Sequence, residues 1–175
     1  KNIVNLLYEK GIRYACISPG SRNAPLTSQL ITHPSIRCIS HIDERSSCYF
    51  GLGIAKITKK PVIISTGMGS DVNKLKQIFR KNKRYFLYCI SKYPTKINQL
   101  NFTKMKTFDG FSDHTEGFLG PIMFALNFRN SKKTKFYEKH VSIAESTGPD
   151  KPFSMRMNDF GQLVSVFKKI QRQKL

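Results

Sequence analysis

No apolar run in this chain approaches the roughly 20 residues that cross a bilayer, and no segment shows the order of a signal peptide. A helical membrane span is therefore excluded at the level of sequence, and a soluble, cytoplasmic protein is the expectation. No two of the cysteines, Cys16, Cys38, Cys48 and Cys89, are spaced as CxxC. Neither a disulfide framework nor a cysteine metal knuckle is expected, and reduced structural thiols are the reading, three of them in apolar strand-like segments. Internal repeats and low-complexity tracts are missing. So is an initiating Met: the chain opens at Lys1 inside a helical pattern (NIVNLLYEK), and an N-terminal portion is expected to precede it.

Acidic residues are scarce. Eleven Asp and Glu stand against thirty Lys and Arg, for a net charge of +19. Such a field attracts polyanions, but the excess is not concentrated: residues 1–60 hold nine basic and three acidic residues, and the remainder twenty-one and eight. The densest stretches, KQIFRKNKR at 76–84 and KKIQRQK at 168–174, read as solvated helix faces and ends. Nucleic acid is therefore not the expected partner, a basic polyanion-binding module remains an alternative, and an anionic small-molecule substrate gains from the same field.

What is present is globular: 39% hydrophobic residues, with thirteen Phe and seven Tyr. Short runs rich in Ile, Val, Tyr and Phe, at 13–17, 36–40, 62–65, 85–89, 109–112 and 134–139, alternate with helical stretches at 2–10, 24–32, 44–57, 71–81, 117–128 and 158–172. This βαβ rhythm predicts an α/β fold with a mainly parallel sheet of about six strands. Asp71 predicts one helix start, and Asn158 with Asp159 another. The segment 142–157, with Gly148, Pro149 and Pro152, is long for a connection and is a candidate functional loop.

Two pieces meet near residue 60. In the first, ISPGSRNAPL follows one strand, and Pro19 and Gly20 form a tight turn. The Ser21 hydroxyl and nearby N–H groups would face an anion there, with Arg22 adding a bidentate carboxylate contact. A capped turn with a surface Arg fits the same spacing. Glu44, in HIDERSSCYFGLGIAK, lies at a helix N-terminus, where a carboxylate also serves as a simple cap. Together with HPSIRC, these segments resemble the N-terminal part of the thiamine-diphosphate-dependent menaquinone-pathway synthases that make 2-succinyl-5-enolpyruvyl-6-hydroxy-3-cyclohexene-1-carboxylate. The resemblance implies that Glu44 hydrogen-bonds the cofactor's aminopyrimidine and that Ser21 and Arg22 contact a substrate carboxylate. The GDG-to-Asn metal motif of the family's diphosphate-binding domain is not in this sequence. Thiamine diphosphate is thus not expected to act in this chain alone, but only with a complementary domain.

In the second piece, residues 61–175, STGM (65–68), CISKYPT (89–95), GFSDHTEG (110–117), YEKH (137–140) and GPDKPFSM (148–155) all follow strands. The C-terminal ends of parallel strands lie side by side, where reacting groups collect. On an extended strand Glu138 and His140 point to one side and Lys139 to the other. With neighbouring strands roughly 4.8 Å apart, His114 and His140 could share a metal ion, with Glu138 or Asp150 beside it. Donor type alone leaves Mn, Zn and Fe open.

In this order the motifs resemble the last four strands of the sialic acid synthase barrel, whose members condense phosphoenolpyruvate with an N-acetylated hexosamine. The resemblance implies a TIM half-barrel, His114 and His140 as ligands of a divalent metal, usually manganese, and Ser65, Ser91 and Ser112 as phosphoenolpyruvate contacts. It also implies Glu138 and Asp150 as acidic groups near metal and sugar. Lys151 stands where the family commonly has His, and the Tyr93–Phe111 connection is short. This sequence lacks the first four barrel strands with their basic residues and catalytic glutamate, as well as the antifreeze-like domain. The expectation is a chimeric or incomplete synthase, weak or inactive alone, whose open sheet edge favours a homo-oligomer or a complementary partner. KPVII at 60–64 suits both families and marks the joint.

Overall fold

The computed structural model describes residues 2–20, 23–67, 69–133, 135–145, 147–148 and 150–173. The chain divides into two compact units, residues 1–62 and 63–175.

The first unit runs α1 (Ile3–Glu9), β1 (Tyr14–Ile17), α2 (Ala24–Thr32), β2 (Arg37–Ser40) and α3 (Glu44–Thr58). The two strands pair in parallel, Tyr14 opposite Arg37 and Ile17 opposite Ser40. A small core of Val4, Ile17, Leu30 and Ile36 holds them, with Tyr8, Ala15 and Cys38 packed against it. Helix starts follow local chemistry. The Asn2 carboxamide accepts from Val4 N at 2.9 Å, and Pro25 occupies the first turn of α2, where its missing N–H costs nothing. At α3 the cap is Asp43, not Glu44: the Asp43 carboxylate accepts from Arg45 N at 2.8 Å and Ser46 N at 3.2 Å. Its hydrogen bond from the Arg45 side chain, together with these N–H groups, holds it below the usual carboxylate range. Removing a capping carboxylate costs about 1 kcal/mol, so Asp43→Ala is expected to lower the thermal midpoint of this unit's far-ultraviolet signal, while Glu44→Ala leaves it nearly unchanged.

The second unit contains β3 (Val62–Ser65, beginning at the boundary), α4 (Val72–Ile78), β4 (Arg84–Cys89), α5 (Phe102–Met105), β5 (Gly110–Asp113), α6 (Leu119–Phe128), β6 (Phe136–Lys139), β7 (Val141–Ser142), β8 (Met155–Arg156) and α7 (Met157–Arg172). β3, β4, β5 and β6 form one sheet in that order. β4 runs parallel to β5 with Leu87 opposite Gly110, and β5 parallel to β6 with Ser112 opposite Glu138 and Asp113 opposite Lys139. The end of β3 is pinned to β4 because Thr66 N and Oγ1 both donate to the Leu87 carbonyl, at 3.0 and 2.8 Å. All six expected strands form, but not as the single six-stranded sheet expected: two pair in the first unit's sheet and four in this one.

Side-chain alternation along β5 and β6 separates two faces. Phe111 and Tyr137 point toward a core of Tyr88, Leu100, Met105 and Phe124, with Phe167 of α7 packed against it. Gly110, Ser112 and Glu138 occupy the other set of positions. A Cβ built at Gly110 would run into the Phe136 carbonyl and press on Leu87 Cδ2. Backbone cannot yield as a flexible side chain does, so Gly110→Ala is expected to cost about 2–3 kcal/mol, read as a lower urea midpoint.

Two features depart from the expectations. Asp71 does cap α4, accepting from Asn73 N and Lys74 N, but Asn158 and Asp159 do not start the last helix. Arg156 is its N-cap, extended and without a side-chain cap bond, because it ends β8, and Asp159 falls in the first turn, where it suits the helix dipole. The segment 142–157 is also more structured than a loop. β7 and β8 pair in parallel, Val141 opposite Met155, around a 3-10 turn at Lys151–Phe153. Among the described residues no helix is long and apolar enough to cross a membrane.

Candidate functional site

Because β4, β5 and β6 are in parallel register, the residues just past their last strand positions emerge together. Ile90 follows β4, His114 follows β5 and His140 follows β6. His114 is only 5% exposed, and its Nδ1–H donates to the Ile90 carbonyl at 2.9 Å. That bond fixes the ring and leaves Nε2 with the lone pair. The backbone of His140 is fixed from the other side, its carbonyl accepting from Met155 N at 2.9 Å where β8 joins β7. The two imidazole rings lie with centroids 5.4 Å apart.

Aromatic rings close over this pair. Tyr93 stacks 4.2 Å from His114 and meets His140 edge-on at 6.1 Å. Phe153, buried in the 3-10 turn, lies 5.4 Å from His140 and 5.2 Å from Tyr93. Burial pushes the Tyr93 phenol up, and the charges of Cys89, Asp150 and Glu138 add to the effect. Burial alone would lower His114, but its hydrogen bonds with the Cys89 thiol and the Ile90 carbonyl, and the Asp113 charge, bring it above the ordinary imidazole value. Cys89 shows the converse: burial raises it, and hydrogen bonds with His114, Ser91 and Ser112 bring it below the ordinary thiol range. Cys89, one of the cysteines read as structural, thus lies beside His114, Ser91 and Ser112.

Glu138 is the acceptor of the inner face. The Ser112 hydroxyl donates to its Oε1 at 2.6 Å and the Ser65 hydroxyl to the same oxygen at 3.4 Å. Ser91 lies 4.0 Å from the Cys89 sulfur, and a Cβ on Gly67 would occupy the position of the Ser91 hydroxyl. The ends of β3, β4 and β5 thus present Ser65, Ser91 and Ser112 toward one region. Asp150, exposed, is the N-cap of the 3-10 turn, where its carbonyl accepts from the Ser154 hydroxyl at 2.6 Å, and its charge reaches Tyr93. Glu44 lies in the first unit, exposed beside a surface depression lined by Cys16, Ser18, Ser47, Cys48, Gly51 and Leu52. Ser21 and Arg22 lie outside the described residues.

Beneath the histidines, on the helix-facing side, sits a buried polar knot that sequence reading did not single out. The side chains of Asp113 and Lys139 are fully buried and 3.5 Å apart. Asp113 also accepts from the Tyr137 hydroxyl at 2.6 Å and from Thr115 N at 2.7 Å, and Lys139 Nζ donates to the Thr115 carbonyl. Burial pulls the Lys139 ammonium down, opposed by the Asp113 charge. Burial and Asp113 both push the Tyr137 phenol far up. The signal in the sequence was SDH with EKH: at matched register the residue before each histidine pairs across the strands.

As a metal site, the described residues supply two donors. No group of three or more His, Cys, Asp or Glu side chains among them converges on one point. An ion held about 2.1 Å from one nitrogen of each ring would lie roughly 3.2 Å from each centroid, which a 5.4 Å centroid separation accommodates. That separation leaves room for an ion between the two rings, and among the described residues no third side-chain donor joins them.

Against known proteins the two units give different likenesses. Residues 1–79 match the N-terminal TPP binding domain of thiamine pyrophosphate enzymes. Over 68 residues the chain is 44% identical to the 2-succinyl-5-enolpyruvyl-6-hydroxy-3-cyclohexene-1-carboxylate synthase of Roseiflexus castenholzii, covering 39% of this chain and 12% of that one. Over 78 residues it is 46% identical to the Actinobacillus pleuropneumoniae enzyme of the same name, covering 43% and 14%. Among solved structures, the N-acetylneuraminic acid (sialic acid) synthetase of Leptospira borgpetersenii, in complex with citrate, superposes with a TM-score of 0.61 at 22% identity. That match covers 98% of this chain and 56% of that one, and shows a shared fold. The chain thus spans a small fraction of the thiamine enzymes and just over half of the solved synthetase. The motifs STGM, CISKYPT, FSDHTEG and YEKH all lie within residues 51–174, which match the NeuB family over more than half of the sequence, so the chain belongs to the NeuB family.

Proposed function

We propose that residues 63–175 form the metal and enolpyruvate half of a nonulosonic acid synthase site, which condenses phosphoenolpyruvate with an N-acetylated hexosamine and turns over weakly or not at all by itself. The observation that carries this reading is the convergence of His114 and His140, 5.4 Å apart, with a Glu138 carboxylate already bound by Ser112. His114 and His140 would hold a divalent cation, manganese first, which when bound would supply Lewis-acid polarisation of the sugar aldehyde. Ser65, Ser91 and Ser112 offer hydroxyl donors to the phosphate and carboxylate of the enolpyruvate. Glu138 uses Oε1 for the serines, leaving Oε2 to take a proton from the water that adds after carbon–carbon bond formation. Phe153, buried, and the half-exposed Tyr93 pack against the histidines, and the net charge of +19 draws the anionic substrate. Asp150 would reach the sugar only from its exposed turn, with Lys151 beside it.

The remaining contacts are assigned to a complementary chain or a second copy. Manganese-dependent release of phosphate from phosphoenolpyruvate and an N-acetylated hexosamine tests the reading. Slow release that a chelator abolishes, accelerated by a complementary half, is expected; release indifferent to the chelator would overturn it. The similarity of residues 1–79 to thiamine enzymes favours a second reading for the first unit, with Glu44 as the aminopyrimidine contact and Ser21 and Arg22 toward a substrate carboxylate. It predicts thiamine diphosphate binding only once a diphosphate-binding domain is added. Binding without one, or none with it, would count against that reading.

A further inference from the structure

A cavity of about 570 Å³ lies at the end of β6 away from His140, between the C-terminal part of α6, the segment leading into β6, and α7. Its size falls within the roughly 300–1,000 Å³ of small-ligand sites. Its floor is aromatic: Phe124, Phe128, Tyr137 and Phe167 line it, with ring centroids 4.9 Å apart for Phe124–Phe128, 5.4 Å for Phe124–Tyr137 and 5.2 Å for Tyr137–Phe167. Its rim is cationic: Arg129, Lys132, Lys133 and Lys135 line it, and no Asp or Glu is among the described lining residues.

The geometry points to a binding site for a mononucleotide, its planar base against the aromatic floor and its phosphates against the basic rim. A guanidinium fork and several ammonium groups match phosphate oxygens, and offset or edge-on ring contacts suit a base. Part of the rim is set in advance, since Lys135 Nζ donates to the Phe108 carbonyl at 2.5 Å and lies 4.7 Å from the Phe128 centroid. Burial lowers the Lys135 ammonium; Asp109 opposes this and the repulsion of Lys133 adds to it, a balance that a bound anion would ease. The site is independent of the histidine pair, and the reading does not rest on the synthase assignment.

The test is calorimetric titration of the full chain with ADP at about 0.15 M salt, where general attraction to a basic chain is screened. One ADP per chain is expected, bound at least about tenfold more tightly than either pyrophosphate or adenosine alone. Replacing the exposed rim lysines in Lys132→Ala/Lys133→Ala should weaken ADP at least about tenfold. Lys74→Ala/Lys76→Ala, which removes the same charge from α4, should change it less than about twofold. Phe128→Leu should remove the preference for ADP over pyrophosphate. Equal weakening by both lysine pairs, equal affinity for pyrophosphate and ADP, or no binding at millimolar ADP would overturn the proposal.

Discussion

Lys139→Met should destabilise the second unit by about 3–5 kcal/mol, a large part of the roughly 5–15 kcal/mol that holds a domain of ordinary stability together. Neither Asp113 nor Lys139 exposes its side chain, and they lie 3.5 Å apart. With the ammonium gone, the Asp113 carboxylate keeps its bonds from the Tyr137 hydroxyl and Thr115 N, but its charge is left buried without a counter-ion. The Thr115 carbonyl loses its donor as well. Asp113→Asn in the same chain removes the stranded charge while keeping the shape, so the double variant should recover much of the loss. Urea unfolding monitored by tyrosine fluorescence reads both. A single-variant loss below about 1 kcal/mol, the scale of an exposed pair, would mean that the pair is open to water.

The second large effect is expected at the histidines. His114→Ala/His140→Ala removes both imidazole donors, so affinity for manganese should fall at least about a hundredfold. That exceeds the 10–100-fold typical of losing a supporting partner, since the ligands themselves are removed. Folding should survive. His114 surrenders its bond to the Ile90 carbonyl and its stacking on Tyr93, but the sheet register is set by β4, β5 and β6 and the core by Phe111, Phe124 and Met105. Titration with manganese, followed by electron paramagnetic resonance of the free ion, measures the affinity, and far-ultraviolet circular dichroism checks the fold. Undiminished affinity would place the metal on other residues.

Much of this architecture was legible because the strands are short β-branched and aromatic runs bounded by turns, as in KPVIIS and RYFLYC. What was not legible depends on partners distant in sequence. The two-residue strands β7 and β8 have too little periodicity to register, and they exist because Met155 pairs opposite Val141. α5 spans four residues, too short for a helical repeat to show. Asn158 and Asp159 look like a cap locally, but tertiary pairing of Arg156 starts the helix earlier. At the site, alternation along YEKH separates Glu138 from Lys139, and Lys139 does turn to the face opposite Glu138. Its partner Asp113 follows only from the register between β5 and β6. The closeness of His114 and His140 has the same origin, since each lies one residue beyond a paired position. The aromatic cover was missed because Phe153 approaches from a segment read as loop, and Cys89 because a thiol in a strand gives no hint of the imidazole next to it.

Parallel strand ends deliver His114 and His140 side by side, and one shared ion is the central expectation. The direct measurement is anomalous scattering from crystals of this chain soaked in manganese, recorded at the metal's absorption edge. A single peak within about 2.0–2.3 Å of His114 Nε2 and of a ring nitrogen of His140 is the result expected. A peak bound to carboxylates elsewhere, with both rings free of it, would contradict the account.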